Sequence, residues 1–301
     1  MKVTQLPDVE PGSGLRDVAI GTFDGVHLGH REVIRGADTV LTFDPHPLAV
    51  IHPEATPKLI APFAVKRDLI ASLGVEEMVV IPFDRGFSEQ TAEEFVQHVL
   101  IDRLGAARVS VGENFRFGKG AKGTADFLHS HDEFETRVVP LVEVAGETVS
   151  SSHIRGLIAA GDVVGAAEFL GEPFLFEGDV VSGDRRGREL GIPTANLVPD
   201  DAYVAPGHGV YAAAAEGYPT AVNVGVRPTF DSGRGLLVEA HLIGFEGDLY
   251  GRQLRIAFLE RMRGEKRFDS VDALVKQMQA DLVEAQNIAS RKRSARPSTR
   301  G

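Results

Sequence analysis

Gly21 to His30, GTFDGVHLGH, is the stretch whose reading decides the fold. Ahead of it, Val18-Ala19-Ile20 reads as the end of a buried strand, and behind it Glu32-Val33-Ile34 reads as a helix start. A strand that passes through a loop holding Gly21, Gly25 and Gly29 into a helix is a place to hold phosphate. Glycines let backbone approach an anion, and the first helical N–H groups point at it. Two imidazoles, His27 and His30, stand three residues apart at the helix mouth. That spacing can place both rings beside a nucleotide's phosphates, donating to the charge that develops when the α-phosphorus is attacked. No G-x-x-x-x-G-K-[ST] occurs in the chain, so this is not a Walker loop.

Working outward, strand and helix patterns alternate. Thr39 to Phe43 reads as a strand that ends at Pro45-His46-Pro47, where two prolines stop regular structure and fix a rigid loop. His46 there either faces a nucleotide or stabilises the turn. Val65 to Leu73 reads as an amphipathic helix and Glu77 to Pro82 as a strand. Thr91-Ala92-Glu93-Glu94 is a capping box before a helix carrying Phe95, Val96, Val99, Leu100 and Leu104 on one face. Arg108 to Val111 and Val138 to Val144 read as further strands. The alternation predicts an α/β unit, a doubly wound Rossmann-like sheet. Between those two strands, Asn114 sits in a glycine-rich loop with Phe115 and Phe117, of which one faces a planar ligand or both pack inward. Ser150-Ser151-Ser152-His153-Ile154-Arg155 caps a helix and places hydroxyls and a guanidinium where a polyphosphate suits them.

After Gly171 the pattern changes. Phe174–Val181, Gly209–Ala215, 220–226, 237–243 and 253–259 read as short strands separated by glycine-rich turns, which predicts an all-β, small antiparallel barrel. A helix capped by Ser270, with Val271, Leu274, Val275, Met278, Leu282 and Ala285 on one stripe, closes one side. The expected domains are 1–171 and 172–290, followed by a basic, disordered tail at 291–301. In the β half, Gly183, Gly187 and Gly191 with three arginines form an anion-friendly loop before Pro193-Thr194-Ala195-Asn196. The Thr194 hydroxyl and Asn196 amide oxygen are hard ligands suited to Mg2+ carrying a nucleotide's phosphates. Glu239, in Leu237-Val238-Glu239-Ala240-His241, is either a paired structural group or a general base.

Composition bounds the rest. The 301 residues, 43% hydrophobic and 25% charged, make a globular chain long enough for two domains. Cysteine is absent, which excludes disulfides and thiolate chemistry. A net charge of −11 argues against nucleic acid as a partner. Neither a signal peptide nor a membrane-spanning apolar run is present, so a cytoplasmic location is expected. Oligomeric state is left open.

Taken together, the chain from Val18 to Ile288 resembles the bifunctional prokaryotic riboflavin kinase/FAD synthetases. The resemblance is carried by GTFDGVHLGH, TFDPHP, VGENFRFGKG, SSSHIR, the Gly183-to-Asn196 stretch, NVGVRPTF, VEAHL with GDLYG, and EKRFDSVDAL. It implies a barrel that phosphorylates riboflavin to FMN with ATP, and an N-terminal domain that adenylylates FMN to FAD, with Mg2+ serving both steps. Carried onto this sequence, His27 and His30 would stabilise the triphosphate and the pentavalent phosphorus, with Gly21, Phe23 and Gly29 in the same nucleotide-binding loop. Asn114 would hold the FMN side, and Ser151, Ser152 and Arg155 the leaving phosphates. Thr194 and Asn196 would position the metal, Glu239 would take the ribityl hydroxyl's proton, and Gly183 to Gly191 would fold over the nucleotide. Arg263 and Phe268, with the segment Glu265 to Asp269, would border the flavin. One departure stands out: after His30 the family has a full helix plus a loop, and this chain has only Arg31 to Leu41. The helix must end near Gly36. Two alternatives follow, a riboflavin kinase with a weak or inactive adenylyltransferase domain, and a non-catalytic flavin- or nucleotide-binding protein.

Overall fold

The computed structural model describes every residue except 13, 182–191, 228–234 and 295–301. The expected loop glycines Gly183, Gly187 and Gly191 lie outside the described residues. By contacts the chain forms two compact units, Met1–Pro57 with Phe63–Ser151, and Lys58–Pro62 with Ser152–Gly301.

In the first unit the larger strands are β1 (Lys2–Gln5), β2 (Arg16–Ile20), β3 (Thr39–Asp44), β4 (Glu77–Pro82) and β5 (Ala106–Gly112). Two-residue strands β6 (Arg116–Phe117) and β7 (Gly123–Thr124) pair with each other, β8 (Glu135–Val139) completes the main sheet, and β9 (Glu143–Val144) pairs with β10 (Glu147–Thr148). The six-stranded sheet runs β1-β4-β3-β2-β5-β8, and every neighbouring pair is parallel. Side-chain alternation along the strands fills both faces. Val18, Ile20, Leu41, Phe43, Val79 and Ile81 pack into one core, while Ala19, Val40, Met78 and Val80 pack into the other.

The helices are α1 (Leu28–Ile34), α2 (Pro47–Ile51), α3 (Phe63–Ser72), α4 (Arg85–Ser88), α5 (Ala92–Glu94) and α6 (Ala125–His129). As the sequence requires, α1 is only seven residues long, and Gly36 follows it with φ of +79°. The capping box is present in both directions, Thr91 to Glu94 and back. Beyond it the chain continues as a π-helix, Phe95–Arg103, with Phe95, Val96, Val99 and Leu100 buried.

Three sequence expectations need correction. The strand expected at Val138–Val144 begins at Glu135 and ends at Val139, because Pro140 has no N–H to continue the ladder. The loop expected after Pro45 is partly helical, since Pro47 sits at the first position of α2, where its missing N–H costs nothing. In the second unit the short strand β12 is additional.

That unit holds α7 (Ser151–Ala160) from Ser152 onward, then α8 (Val163–Leu170), whose Asp162 cap and Gly171 stop match the expected break. Next come β11 (Phe174–Val181), β12 (Ala195–Val198), β13 (Gly209–Ala215), β14 (Tyr218–Arg227), β15 (Gly235–Leu242) and β16 (Gln253–Arg263). They close an antiparallel barrel in the order β11-β12-β15-β14-β13-β16. Ser270 caps α9 (Val271–Ser294), which lays Ala285 and Ile288 against Ala212 of β13. The helix carries Arg291, Lys292 and Arg293 in its last turn, where cations suit the negative end of a helix. No helix among the described residues is long and apolar enough to cross a membrane.

Candidate active sites

In the first unit the strand order reverses between β2 and β5, which run parallel, and ligands of open parallel sheets bind at the carboxyl ends of the strands at such a switch point. A cavity of about 990 Å3 lies there, lined by Gly21 after β2, Gly112 at the end of β5, and both histidines. The loop between them is tightly determined. His27 caps α1, its Nδ1 accepting the His30 N–H at 3.2 Å. An Nδ1 that accepts carries no proton, so the neutral ring is protonated on Nε2. The two imidazoles stack with centroids 3.5 Å apart, and the edge of Phe23 meets His30 at 5.4 Å. Gly29 makes the stack possible, since a Cβ there would come within 3.2 Å of the His27 ring.

Burial lowers the His27 pKa to about 4. His30 is pushed well below the ordinary histidine value by burial, then by His27 and Lys66. Both rings are therefore neutral hydrogen-bonding groups near pH 7. The buried Nδ1 of His30 has no hydrogen-bond partner among the described residues.

The same cavity is lined by Asn114, Phe115 and Phe117, whose rings stack at 5.5 Å, and by Ser151, whose hydroxyl donates to the Asp24 carbonyl at 3.1 Å. Phe117 is buried in the core and Phe115 packs partly buried against it, and both rings line the cavity. His46 also lines it and caps α2 through Nδ1, at 3.2 Å from the Leu48 N–H. Arg85, Arg116 and Lys119 add cationic wall suited to polyphosphate. Ser152 and Arg155 belong to the second unit, where the Arg155 guanidinium donates to the Ser152 hydroxyl at 3.0 Å.

A second cavity, about 640 Å3, opens in the barrel and is lined by Thr194, Asn223, Glu239, His241, Arg263 and the run Glu265 to Phe268. Strand register places Asn196 of β12 and Asn223 of β14 on either side of Glu239 of β15, so the three share one face. Asn223 Nδ2 donates to Glu239 Oε2 at 3.1 Å. His241, two residues along and on the same face, has Nδ1 2.6 Å from the Pro193 carbonyl. A carbonyl only accepts, so that nitrogen holds the proton and fixes the turn into Thr194. Asn196 is buried and is not among the residues lining the cavity.

Arg263, read from the sequence as a ligand group, is held by Asp281 of α9 at 3.1 and 2.7 Å, and Gln277 also binds Asp281. It fastens the helix to the barrel at the cavity's edge. Phe268 lies at the wall with Lys266 over its ring. Sequence reasoning missed Asn223 and His241. The period-two spacing of 239 and 241 could have flagged the latter, while Asn223 becomes visible only once β14 is paired with β15.

A Rossmann-like unit with paired histidines at its switch-point cavity, followed by a closed barrel with a cavity of its own, is the layout of a two-domain enzyme. Family profiles agree with this division. One described as FAD synthetase matches residues 15–153, and one described as riboflavin kinase matches residues 170–289. Relatives named bifunctional riboflavin kinase/FMN adenylyltransferase include those of Bacillus subtilis, 35% identical over 89% of this chain and 90% of the relative, and Listeria monocytogenes, 34% identical over 88% and 89%. A crystal structure described as a macrolide-efflux protein from Streptococcus pneumoniae superposes with a TM-score of 0.83, at 33% identity, over 95% of this chain and 99% of that one. The chain belongs to the bifunctional riboflavin kinase/FMN adenylyltransferase family.

Proposed function

We propose that the family's two activities are divided between the two cavities. In the first unit an FMN phosphate oxygen attacks the α-phosphorus of ATP, the bond to the β-phosphoryl group breaks, and pyrophosphate leaves with FAD as product. His27 and His30 donate to the oxygens that gain charge, and no protein base is required, because the phosphate nucleophile is already ionised. Asn114 holds the FMN side and Ser151 the leaving phosphates.

In the barrel the ribityl hydroxyl attacks the γ-phosphorus, its proton passes to Glu239, and ADP leaves. The Asn223 bond to Oε2 orients the carboxylate so that Oε1 can receive that proton. Phe268 and its neighbours border the flavin.

Mg2+ fits the barrel site. Among the described residues no group of three His, Cys, Asp or Glu side chains could hold a metal, and Thr194 with Asn196 offers neutral hard oxygens. That donor set suits an ion that keeps several waters and takes much of its coordination from phosphate. Thr194 and Asn196 would hold it, and when bound it neutralises charge on the transferring phosphates. Cytoplasm, with its supply of ATP, is the compartment that fits this chemistry.

The observation that carries the reading is the stacked, neutral His27–His30 pair at the switch-point cavity, intact despite the shortened helix. It favours two working sites over a kinase with an idle partner domain. Incubating the purified chain with riboflavin, ATP and Mg2+ and separating the flavins by chromatography tests it. FAD is the expected product. FMN alone would leave only the kinase, and unchanged riboflavin would refute both assignments.

A further inference from the structure

Beneath the histidine loop lies a charge that neither cavity exposes. Lys66 of α3 is a buried lysine, and it is not among the residues lining the first cavity. Its ammonium donates to the Thr22 carbonyl and to Thr42 Oγ1, each at 3.3 Å, and the Thr42 hydroxyl reaches the same Thr22 carbonyl at 3.3 Å. Burying an ammonium costs desolvation, which two hydrogen bonds to neutral oxygens and the charges of Asp44 and Asp24 only partly offset.

Thr22 sits where the loop is most constrained. The next residue, Phe23, has φ of +50° and Val26 has φ of +44°, both in the left-handed region that side chains with a Cβ avoid. Such residues persist where their surroundings over-determine them, and they cluster at functional sites. The loop they shape carries His27 and the N–H that His27 caps. Lys66 therefore grips the loop from behind, one residue before its strained turn begins.

We propose that Lys66 is a positioning residue for adenylyl transfer: its ammonium pins the Thr22 carbonyl and thereby holds the His27 and His30 imidazoles in their working placement. This rests on assigning FMN adenylylation to the first unit. The charged and titratable groups around the ammonium are Asp24 of the loop, Asp44 at the end of β3, and His30 of α1; His30 in turn faces His27 and Lys66. Burial lowers the Lys66 pKa while Asp44 and Asp24 raise it, and the ammonium in turn lowers that of His30.

The test compares K66M, K66R and T42V in the full chain, measuring FAD formation from supplied FMN and ATP, and riboflavin phosphorylation in the same preparations. K66M is expected to lower kcat for FAD formation about 100-fold, the usual cost of a misplaced catalytic group, with the ATP KM within about threefold. Riboflavin phosphorylation stays within about twofold of wild type, and K66R recovers about a tenth or more of the lost activity. In K66M the acid limb of the kcat profile moves to higher pH, because His30 loses a like-charged neighbour. In T42V, which keeps the charge, FAD formation falls by about three- to tenfold and the limb stays in place.

K66M turnover within about threefold of wild type overturns the proposal. So does a loss shared with the kinase reaction, or a loss with an unmoved limb, since either describes packing damage alone. If K66M does not fold, T42V decides, and undiminished FAD formation by it is the refuting result. Wild-type protein that forms no FAD sinks the assignment of the reaction instead, so the two failures are distinct.

Discussion

Replacing His27 by asparagine separates the two jobs its ring performs. The first is structural: Nδ1 accepts the His30 N–H at 3.2 Å and caps α1. Asparagine is among the best capping residues, so H27N keeps that bond, whereas H27A forfeits about 1 kcal/mol of helix stability. The second is chemical, because only the imidazole carries a proton on Nε2 at the cavity wall. Losing one donor aimed at a developing oxyanion costs about 3–4 kcal/mol, or about 10²–10³ in kcat. H27N is therefore expected to fold like wild type and to release pyrophosphate from ATP and FMN about 10²–10³ times more slowly. H27A should show the same rate loss and melt about 2–4 °C lower, the shift that 1 kcal/mol produces in a unit of this size. The assay is coupled pyrophosphate release with FMN supplied, normalised to riboflavin phosphorylation by the same sample. H27N turnover within about threefold of wild type would refute the reasoning, because the cap would then be all that the ring provides.

Three further outcomes follow from the same geometry. E239Q is expected to cut FMN formation by about 100-fold or more while FMN fed directly still becomes FAD, and equal loss of both products in folded protein would contradict the division of labour. D281A strips Arg263 of its two bonds and Gln277 of one at the junction of α9 with β16. With Arg263 partly exposed, the loss should be on the order of 3 kcal/mol, read by denaturant unfolding of the barrel unit, and a loss within error of zero would mean that the pair is dispensable. The His27 pKa falls from 6.5 to about 4 on folding, so the unfolded chain gains a proton that the folded one refuses. Stability from this group is present above pH 6.5 and is lost as the pH falls towards 4, by on the order of 3 kcal/mol. His30 acts in the same direction. Melting curves of H27N between pH 7.5 and 5 should accordingly slope less than those of wild type.

The legible parts of the chain were those in which chemistry is local. Glycines and a histidine cap around GTFDGVHLGH, the Thr91–Glu94 box and the Ser270 cap each make their contacts within a few residues, so spacing alone reveals them. The short α1 could be counted directly from the distance between His30 and Thr39. Strand β12 was hidden because four residues after a proline carry too little alternation to register, although it bears Asn196. Lys66 was hidden for another reason. On α3 it reads as one charge among several, and only the pairing of β2 with β3 brings Thr22 and Thr42 beneath it. The partners of Glu239 likewise exist only through register.

Under the proposed assignment, the difference between the two cavities follows from the nucleophile each would handle. A phosphate oxygen arrives ionised and needs partners that accept its charge without removing a proton. The one carboxylate lining the first cavity among the described residues is Glu89, and it is paired with Lys119 at 2.7 Å. Neutral imidazoles suit that setting, because burial gives their N–H groups full electrostatic effect without the repulsion two stacked cations would suffer. A ribityl hydroxyl, by contrast, must lose a proton as it attacks. Of the carboxylates in the barrel cavity, Asp281 is committed to Arg263 and Glu265 lies 3.8 Å from His208. Glu239 stands beside the Thr194 turn with one oxygen oriented by Asn223, the arrangement a proton acceptor requires. If the barrel reaction needs a base and the sheet-unit reaction does not, E239Q should slow FMN formation alone and H27N should slow FAD formation alone.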